Sequence, residues 1–327
     1  MKGHAITFAD ERPVERIPDI ACWSENYAFV GYDYENRIGF AAYVGRWVKN
    51  PSLWREQLYL YLPDGTALLH MAIGPAADGK VPSGGAMQFH CVEPGGRWRI
   101  VFDGAMRHER IETLLREPIV ESRPHPVKCE IVLDHVLPVW MLPASENSSH
   151  GKFHYEQMGV CAGHYHFNGT DYRFAGPAYR DHSRGPRHLG GYQGHVWLQI
   201  HFKDRPIFAS YQAWASNDGK LVKILDESVS MRPDGFGPAS LHTHLRLETI
   251  DALFDPITLD VTVEGRRCTL RGRPLATLVA SLTEEFDFFF GFPRSMADLV
   301  ATEQPLLFDS EDGQVTGYIQ RSLRLQK

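Results

Sequence analysis

Apolar and polar residues alternate with a period of two through most of this chain, and the i, i+3, i+4, i+7 spacing of an amphipathic helix is scarce. Leu58, Leu60 and Leu62 alternate with Gln57, Tyr59 and Tyr61, and Pro63-Asp64-Gly65 supplies turn chemistry before a second run through Leu69 and Met71. That pattern predicts a hairpin. Trp98, Ile100 and Phe102 alternate ahead of Asp103-Gly104, and Val127, Cys129, Ile131 and Leu133 form another alternating run. Asn168-Gly169, Lys203-Asp204-Arg205-Pro206 and Glu264-Gly265 each sit between strand-like runs and predict three further hairpins. Val315, Gly317, Ile319 and Arg321 predict a closing strand, whereas the stretches 295–302 and 304–309 read as sites for a short helix. Consecutive antiparallel hairpins hide their edges by closing into barrels, so the fold class predicted is all-β, with two antiparallel barrels or sandwiches packed together.

A chain of 327 residues exceeds the usual size of one domain. The polar stretch Pro143-Ala144-Ser145-Glu146-Asn147-Ser148-Ser149-His150 has the composition of a linker. It predicts one β-domain over 1–145 and a second over 146–327. A hydrophobic fraction of 43% with 23% charged residues is that of a folded chain with a sizeable core. The net charge of −6, with no Lys/Arg stripe, argues against nucleic acid as a partner. No apolar run has the length of a signal peptide core or of a membrane span, which predicts a cytoplasmic protein. The five cysteines lack CxxC spacing and read as reduced thiols rather than a disulfide framework.

Half of the histidines fall in one short region: His150, His154, His164, His166, His182, His188, His195 and His201. Imidazole titrates near neutrality, so such a density suits proton transfer. Within it, Tyr179-Arg180-Asp181-His182-Ser183-Arg184-Gly185, with Arg187 beyond, reads as a charged loop bracketed by Gly176-Pro177 and Gly190-Gly191. A carboxylate beside guanidinium groups stays ionised and can orient an imidazole or take a proton, and arginine can hold an anionic oxygen. The competing reading is an Arg–Asp pair that only pins a corner. His164-x-His166 and His242-x-His244 place imidazoles two residues apart on one strand face, as metal-binding barrels do. A metal-dependent enzyme of cupin type is therefore a further alternative. There is no Gly-x-Ser-x-Gly elbow, no activated cysteine, no Walker A loop and no Gly-x-Gly-x-x-Gly fingerprint, which removes serine-nucleophile and nucleotide-cofactor chemistry.

The run His154-Tyr155-Glu156-Gln157-Met158-Gly159, followed by Gly163, Asn168-Gly169, Tyr172, Gly176 and Arg180-Asp181-His182-Ser183-x-Gly185-x-Arg187, resembles the carotenoid 1,2-hydratase (hydroxyneurosporene synthase)-like superfamily. Trp23-Ser24-Glu25-Asn26-Tyr27 and Trp98-Arg99-Ile100-x-Phe102-Asp103-Gly104 are similar to it as well. The resemblance implies two calycin or lipocalin-like barrels around a hydrophobic pocket, and members that hydrate, dehydrate, cyclise or isomerise apolar substrates without an organic cofactor. It carries over to Arg180, Asp181, His182 and Arg187, and implies that Glu156 and Gln157 face the same cavity from the neighbouring strand. Arg184 stands where the family pattern has tryptophan, and Gln320 where an acid is expected, which points to a more polar substrate than a carotenoid.

These readings converge on a cofactor-independent acid–base lyase, with no metal, acting on a small hydrophobic, oxygenated substrate of phenolic or terpenoid type. Asp181, His182, Arg180 and Glu156 are the candidate catalytic residues. Tyr179, Arg184, Arg187, Gln157, Tyr172, Tyr192, His195 and Trp23 are the candidate substrate-binding residues. An isomerase or cyclase on the same scaffold and a non-catalytic carrier of a hydrophobic ligand are the other readings, and a homodimer is left open.

Overall fold

The computed structural model describes residues 5–76, 81–114, 123–143, 153–187, 191–203, 206–283, 288–290, 297–311 and 313–325. A single helical turn, α1 (Phe8–Glu11), precedes ten strands: β1 (Trp23–Asp33), β2 (Ile38–Trp47), β3 (Asn50–Tyr61), β4 (Thr66–Pro75), β5 (Met87–Glu93), β6 (Arg97–Arg110), β7 (Pro124–Asp134), β8 (Trp140–Met141), β9 (Phe153–Phe167) and β10 (Thr170–Pro186). They form one sheet, in which β1, β2, β3, β4, β6, β7, β9 and β10 pair in a ring, β10 closing on both β9 and β1. The result is a closed antiparallel barrel.

A second sheet takes the rest: β11 (Tyr192–His201), β12 (Ile207–Asn217), β13 (Lys220–Arg232), β14 (Gly235–Leu241), β15 (Ile257–Val263), β16 (Arg266–Pro274), β17 (Leu278–Leu282), β18 (Phe288–Phe290), β19 (Leu299–Ser310) and β20 (Gly313–Arg324). Pairing of β16 with β19 turns this sheet back on itself. All strand pairs in both sheets are antiparallel, as short hairpin connections require.

The predicted turns at Asp64-Gly65, Asn168-Gly169 and Glu264-Gly265 join β3 to β4, β9 to β10 and β15 to β16. Asn168 and Gly169 have φ of 49° and 76°, the left-handed values that a two-residue hairpin turn demands and that asparagine and glycine tolerate. The turn expected at 203–206 lies partly outside the described residues, as do His150 and His188. Of the stretches expected to hold a short helix, 304–309 lies within strand β19 and 295–302 runs into it from Leu299, with residues 295 and 296 outside the described residues; β19 forms because its residues alternate between two buried faces. All five cysteines are free, Cys129 and Cys161 in the core and Cys22 exposed.

The sheets divide the chain differently from the 1–145 and 146–327 expectation. Residue 145 itself lies outside the described residues, but β9 and β10, which follow it, complete the first barrel. The Arg-Asp-His-Ser segment therefore belongs to the first sheet, and the second begins at Tyr192. It is also a strand rather than a loop, held in register from Thr170↔Phe167 to Arg184↔Phe153.

Period-two alternation builds three large cores among the described residues. Tyr27, Phe29, Phe40, Trp98, Ile131 and Tyr165 fill the first barrel. Leu198, Phe208, Leu259, Leu270, Phe308 and Ile319 fill the second sheet. Between them, the outward side chains of the first barrel (Val30, Tyr59, Tyr61, Met158, Tyr179) meet those of the second sheet (Trp197, Tyr211, Leu299, Tyr318). The site lies in this third layer.

Candidate active site

Successive residues of a strand point to opposite faces, so β10 divides its charged segment in two. Arg180, His182 and Arg184 point into the first barrel. Tyr179, Asp181 and Ser183 point toward the second sheet.

The inward set is a closed ion-pair network. Arg180 is fully buried and donates both terminal nitrogens to the carboxylate of Glu11, at 3.0 and 2.6 Å, and Nε to Gln157 Oε1 at 3.2 Å. Tyr155 donates its hydroxyl to Glu11 at 2.5 Å. Burial works against the Glu11 charge, but Arg180 overrides it and holds the carboxyl down at about 2. His182 stacks on Tyr27 with ring centres 4.0 Å apart and donates Nε2–H to Glu25 at 3.3 Å. Burial lowers its pKa to about 4, so the ring is neutral at physiological pH. Arg184 donates Nε to Glu25 at 2.6 Å and lies over the Phe153 ring. Each charge here has its partner.

The outward set lines a cavity of about 170 Å³ between the two sheets. Asp181 reaches it from β10 and Arg187 from just beyond; Tyr192 and His195 come from β11, Glu303 from β19, Gln320 from β20 and Tyr43 from β2. Ala28, Val44, Ala280, Leu282, Leu299 and Ala301 make the apolar wall. Asp181 keeps 22% of its side chain exposed, and that fraction opens to the cavity. Burial raises its pKa; Arg187 and Arg180 oppose the rise, and Glu303 adds to it. Burial likewise pushes Glu303 up to about 7, although Tyr43, Gln320 and Tyr318 all donate to its carboxylate, Tyr318 at 2.8 Å. Two carboxyl groups thus face one cavity with proton affinities shifted toward neutrality.

Arg187 is buried, which lowers its pKa to about 10, and it donates to Ser183 Oγ at 2.9 Å. With the Asn26 amide turned to accept, Arg187 also donates to that oxygen at 2.8 Å. It stays cationic at neutral pH. His195 Nε2 donates to Gln320 Oε1 at 2.6 Å, and its Nδ1 lies 2.7 Å from the hydroxyls of both Tyr192 and Ser322. Burial drops its pKa to about 4, making it a neutral link between β11 and β20.

Behind Asp181, Glu156 is its direct partner across the β9–β10 ladder, and His154 lies two residues away on the same face. His154 Nε2 is 2.9 Å from Glu156 Oε1 and 3.9 Å from Asp181 Oδ2. Burial and the Asp181 charge hold the Glu156 carboxyl well above the usual range. Among the described residues, this trio also brings three ligand atoms within 4.8 Å of one another and could hold a divalent cation.

The structure therefore brings together Asp181, Arg187, Tyr192 and His195 of the expected set, with Glu156 directly behind. It separates Arg180, His182, Arg184 and Gln157, which belong to the barrel interior. The expected Asp181–His182 pair and the shared facing of Glu156 and Gln157 are both precluded by strand alternation. Tyr179 is packed between Trp197 and Tyr318. Trp23 is buried in β1, and Tyr172 stacks on Tyr165 at the far end of the barrel, with ring centres 4.8 Å apart. The pair His164/His166 is exposed on strand β9, and His242 and His244 are exposed in the irregular connection that follows β14. Glu303 and Tyr43 were not anticipated. An acid in the apolar run Leu299-Val300-Ala301-Thr302-Glu303 was the available signal. Glu303 also answers the missing acid at Gln320, since the two side chains are hydrogen-bonded in the same wall.

A larger cavity of about 660 Å³ opens elsewhere between the sheets, lined by Arg37, Arg110 and Phe254, but its acids Asp64, Glu112 and Asp251 are all exposed.

An eight-stranded antiparallel barrel sharing a buried, acid-lined interface with a second β-sheet defines the class of the molecule. The chain belongs to the family of DUF7064, a domain of unknown function whose model matches residues 8–305. No curated protein sequence matches it. Among solved structures it is similar to an AttH protein of Nitrosomonas europaea (17% identity, TM-score 0.59, covering 94% of this chain and 98% of that one). It is also similar to CghA solved with Sch210972 (11% identity, TM-score 0.54, covering 94% and 89%). Kievitone hydratase from Nectria haematococca lies further off (10% identity, TM-score 0.49, covering 100% and 98%). The first two share the fold. Among the described residues, no helix is long and apolar enough to cross a membrane.

Proposed function

We propose that the cavity between the sheets is the active site of a cofactor-independent acid–base enzyme that adds or removes water at a C–O or C–C centre of a hydrophobic, oxygenated substrate, phenolic or terpenoid. The observation that carries this reading is the pair of raised carboxyl groups, Asp181 and Glu303, facing one cavity beside the Arg187 cation. An acid or base works best with a pKa near the operating pH, and burial brings both groups there.

In the dehydration direction, one carboxylate takes the proton from carbon and the other carboxyl gives its proton to the leaving hydroxyl. The C–O bond breaks, the C=C bond forms and water departs, so the two groups exchange protonation states and reset through solvent. Arg187 stabilises the negative charge that develops on a neighbouring oxygen. Tyr43, Tyr318 and Gln320 fix Glu303, and Glu156 supports Asp181 from behind. The apolar wall of alanine, valine and leucine residues takes the hydrocarbon part and excludes water. The same parts serve an isomerisation or cyclisation in which the proton returns to a different atom.

The test is incubation of the protein with a panel of phenolic and terpenoid alcohols and alkenes in D2O or H2(18O), read by mass spectrometry. Enzyme-dependent deuterium or oxygen-18 incorporation into at least one compound is the expected result. Stoichiometric binding with no label transfer would instead make the protein a carrier.

A further inference from the structure

The Arg180 network inside the first barrel has the form of a receptor with its ligand attached. Four donors converge on the Glu11 carboxylate: Oε1 accepts from Arg180 at 2.6 Å and from the Gly95 backbone N–H at 3.1 Å, and Oε2 accepts from Arg180 at 3.0 Å and from the Tyr155 hydroxyl at 2.5 Å. Forked guanidinium donation with two further donors is a strong arrangement for binding a carboxylate.

The barrel holds these donors without help from Glu11. Gln157 accepts from Arg180 and in turn donates to the carbonyls of Gly95 and Leu137, at 2.7 and 3.0 Å. The guanidinium carbon also rests 5.4 Å from the Trp98 ring centre and 5.0 Å from that of Tyr155. Glu11, in contrast, arrives on a four-residue helical turn that belongs to neither sheet. Receptor and ligand are separate pieces of the fold.

We propose that the mouth of the first barrel is a carboxylate-binding site, filled by Glu11 of the chain's own N-terminal segment and open to a free carboxylate when that segment is displaced. The segment also reaches the cavity between the sheets. Arg184 donates to the carbonyls of Asp10 and Arg12, and Arg46, which lines that cavity, donates to the Val14 carbonyl at 3.0 Å. A carboxylate that replaces Glu11 therefore releases a strap tied to the cavity wall.

The experiment uses the full chain with Glu11→Ala and follows the melting temperature at pH 7 in sodium acetate against sodium chloride of equal ionic strength. Wild type should respond equally to the two salts. The variant should melt lower and recover saturably with acetate, by roughly 3–8 °C once acetate reaches about a hundredfold its dissociation constant. The double variant Glu11→Ala/Arg180→Met should not recover. Should Glu11→Ala fail to fold alone, refolding is carried out with and without acetate, and the readout becomes the yield of native protein. Acetate giving no more than chloride, or the same benefit with Arg180 removed, overturns the proposal.

Discussion

Replacing Arg180 with methionine removes the cation but keeps a long apolar side chain against Trp98 and Tyr155. The Glu11 carboxylate is then left in the barrel without its charged partner. Breaking a buried ion pair from one side costs about 3–5 kcal/mol. The native pKa of Glu11 gives an independent figure: held at about 2 against an ordinary value of 4.5, it differs by 4.5 − 2 = 2.5, which at ~1.36 kcal/mol each is about 3 kcal/mol. A native pKa depressed below the unfolded one stabilises above the unfolded pKa and is lost as pH falls through the native value. The contribution is thus present above about pH 4.5 and fades toward pH 2. In the variant, Glu11 has no cation to keep it ionised and binds a proton more readily. Denaturant unfolding monitored by tryptophan fluorescence should show a loss of about 3 kcal/mol or more at pH 7, and the gap from wild type should narrow between pH 5 and pH 3. A loss below about 1 kcal/mol, or a gap that stays constant with pH, would refute the view of this arginine as a buried structural partner.

Glu303 has the opposite linkage: a native pKa raised to about 7 means that it stabilises below about pH 4.5 and that this stability is lost as pH rises through 7, so Glu303→Gln should flatten the decline seen in wild-type melting curves across that window. Arg187→Met should lower kcat/KM on the compound identified by label transfer by about 10²-fold and move the pH profile upward, because the Asp181 carboxylate loses its stabilising cation; an unmoved profile would detach Arg187 from Asp181. Gly159→Ala places a Cβ 2.0 Å from the Asp134 carbonyl oxygen, and the forced separation of β7 from β9 should lower the melting temperature by several degrees in a thermal scan.

The alternation along the chain was sufficient to specify most of the strands, three of the hairpin turns and the all-β architecture, because strand faces and tight turns are read locally. Asp181, Arg187, Tyr192 and His195 were also accessible, since charged and aromatic residues concentrated near one stretch. What local pattern could not supply was the partner of each face. The same period-two rule that identified strands elsewhere divides Asp181 from His182, but a run of consecutive charges has no apolar rhythm to reveal it. Glu11 meets Arg180 across 169 positions of sequence, and Glu303 meets Tyr43 across 260, separations that pairing of distant strands decides. The placement of β9 and β10 in the first barrel depends on the same long-range closure, which the polar linker before them masks.

On the proposed function, the chemistry belongs to the outward face of β10 and to β19, and not to the inward face. This placement is tested most directly by measuring label transfer from solvent for Asp181→Asn, Glu303→Gln and His182→Gln, each confirmed folded by its melting curve. Losses of about 10²–10⁴-fold are expected for the first two, and activity within several-fold of wild type for His182→Gln. Full activity in Asp181→Asn and Glu303→Gln, with loss confined to His182→Gln, would contradict it.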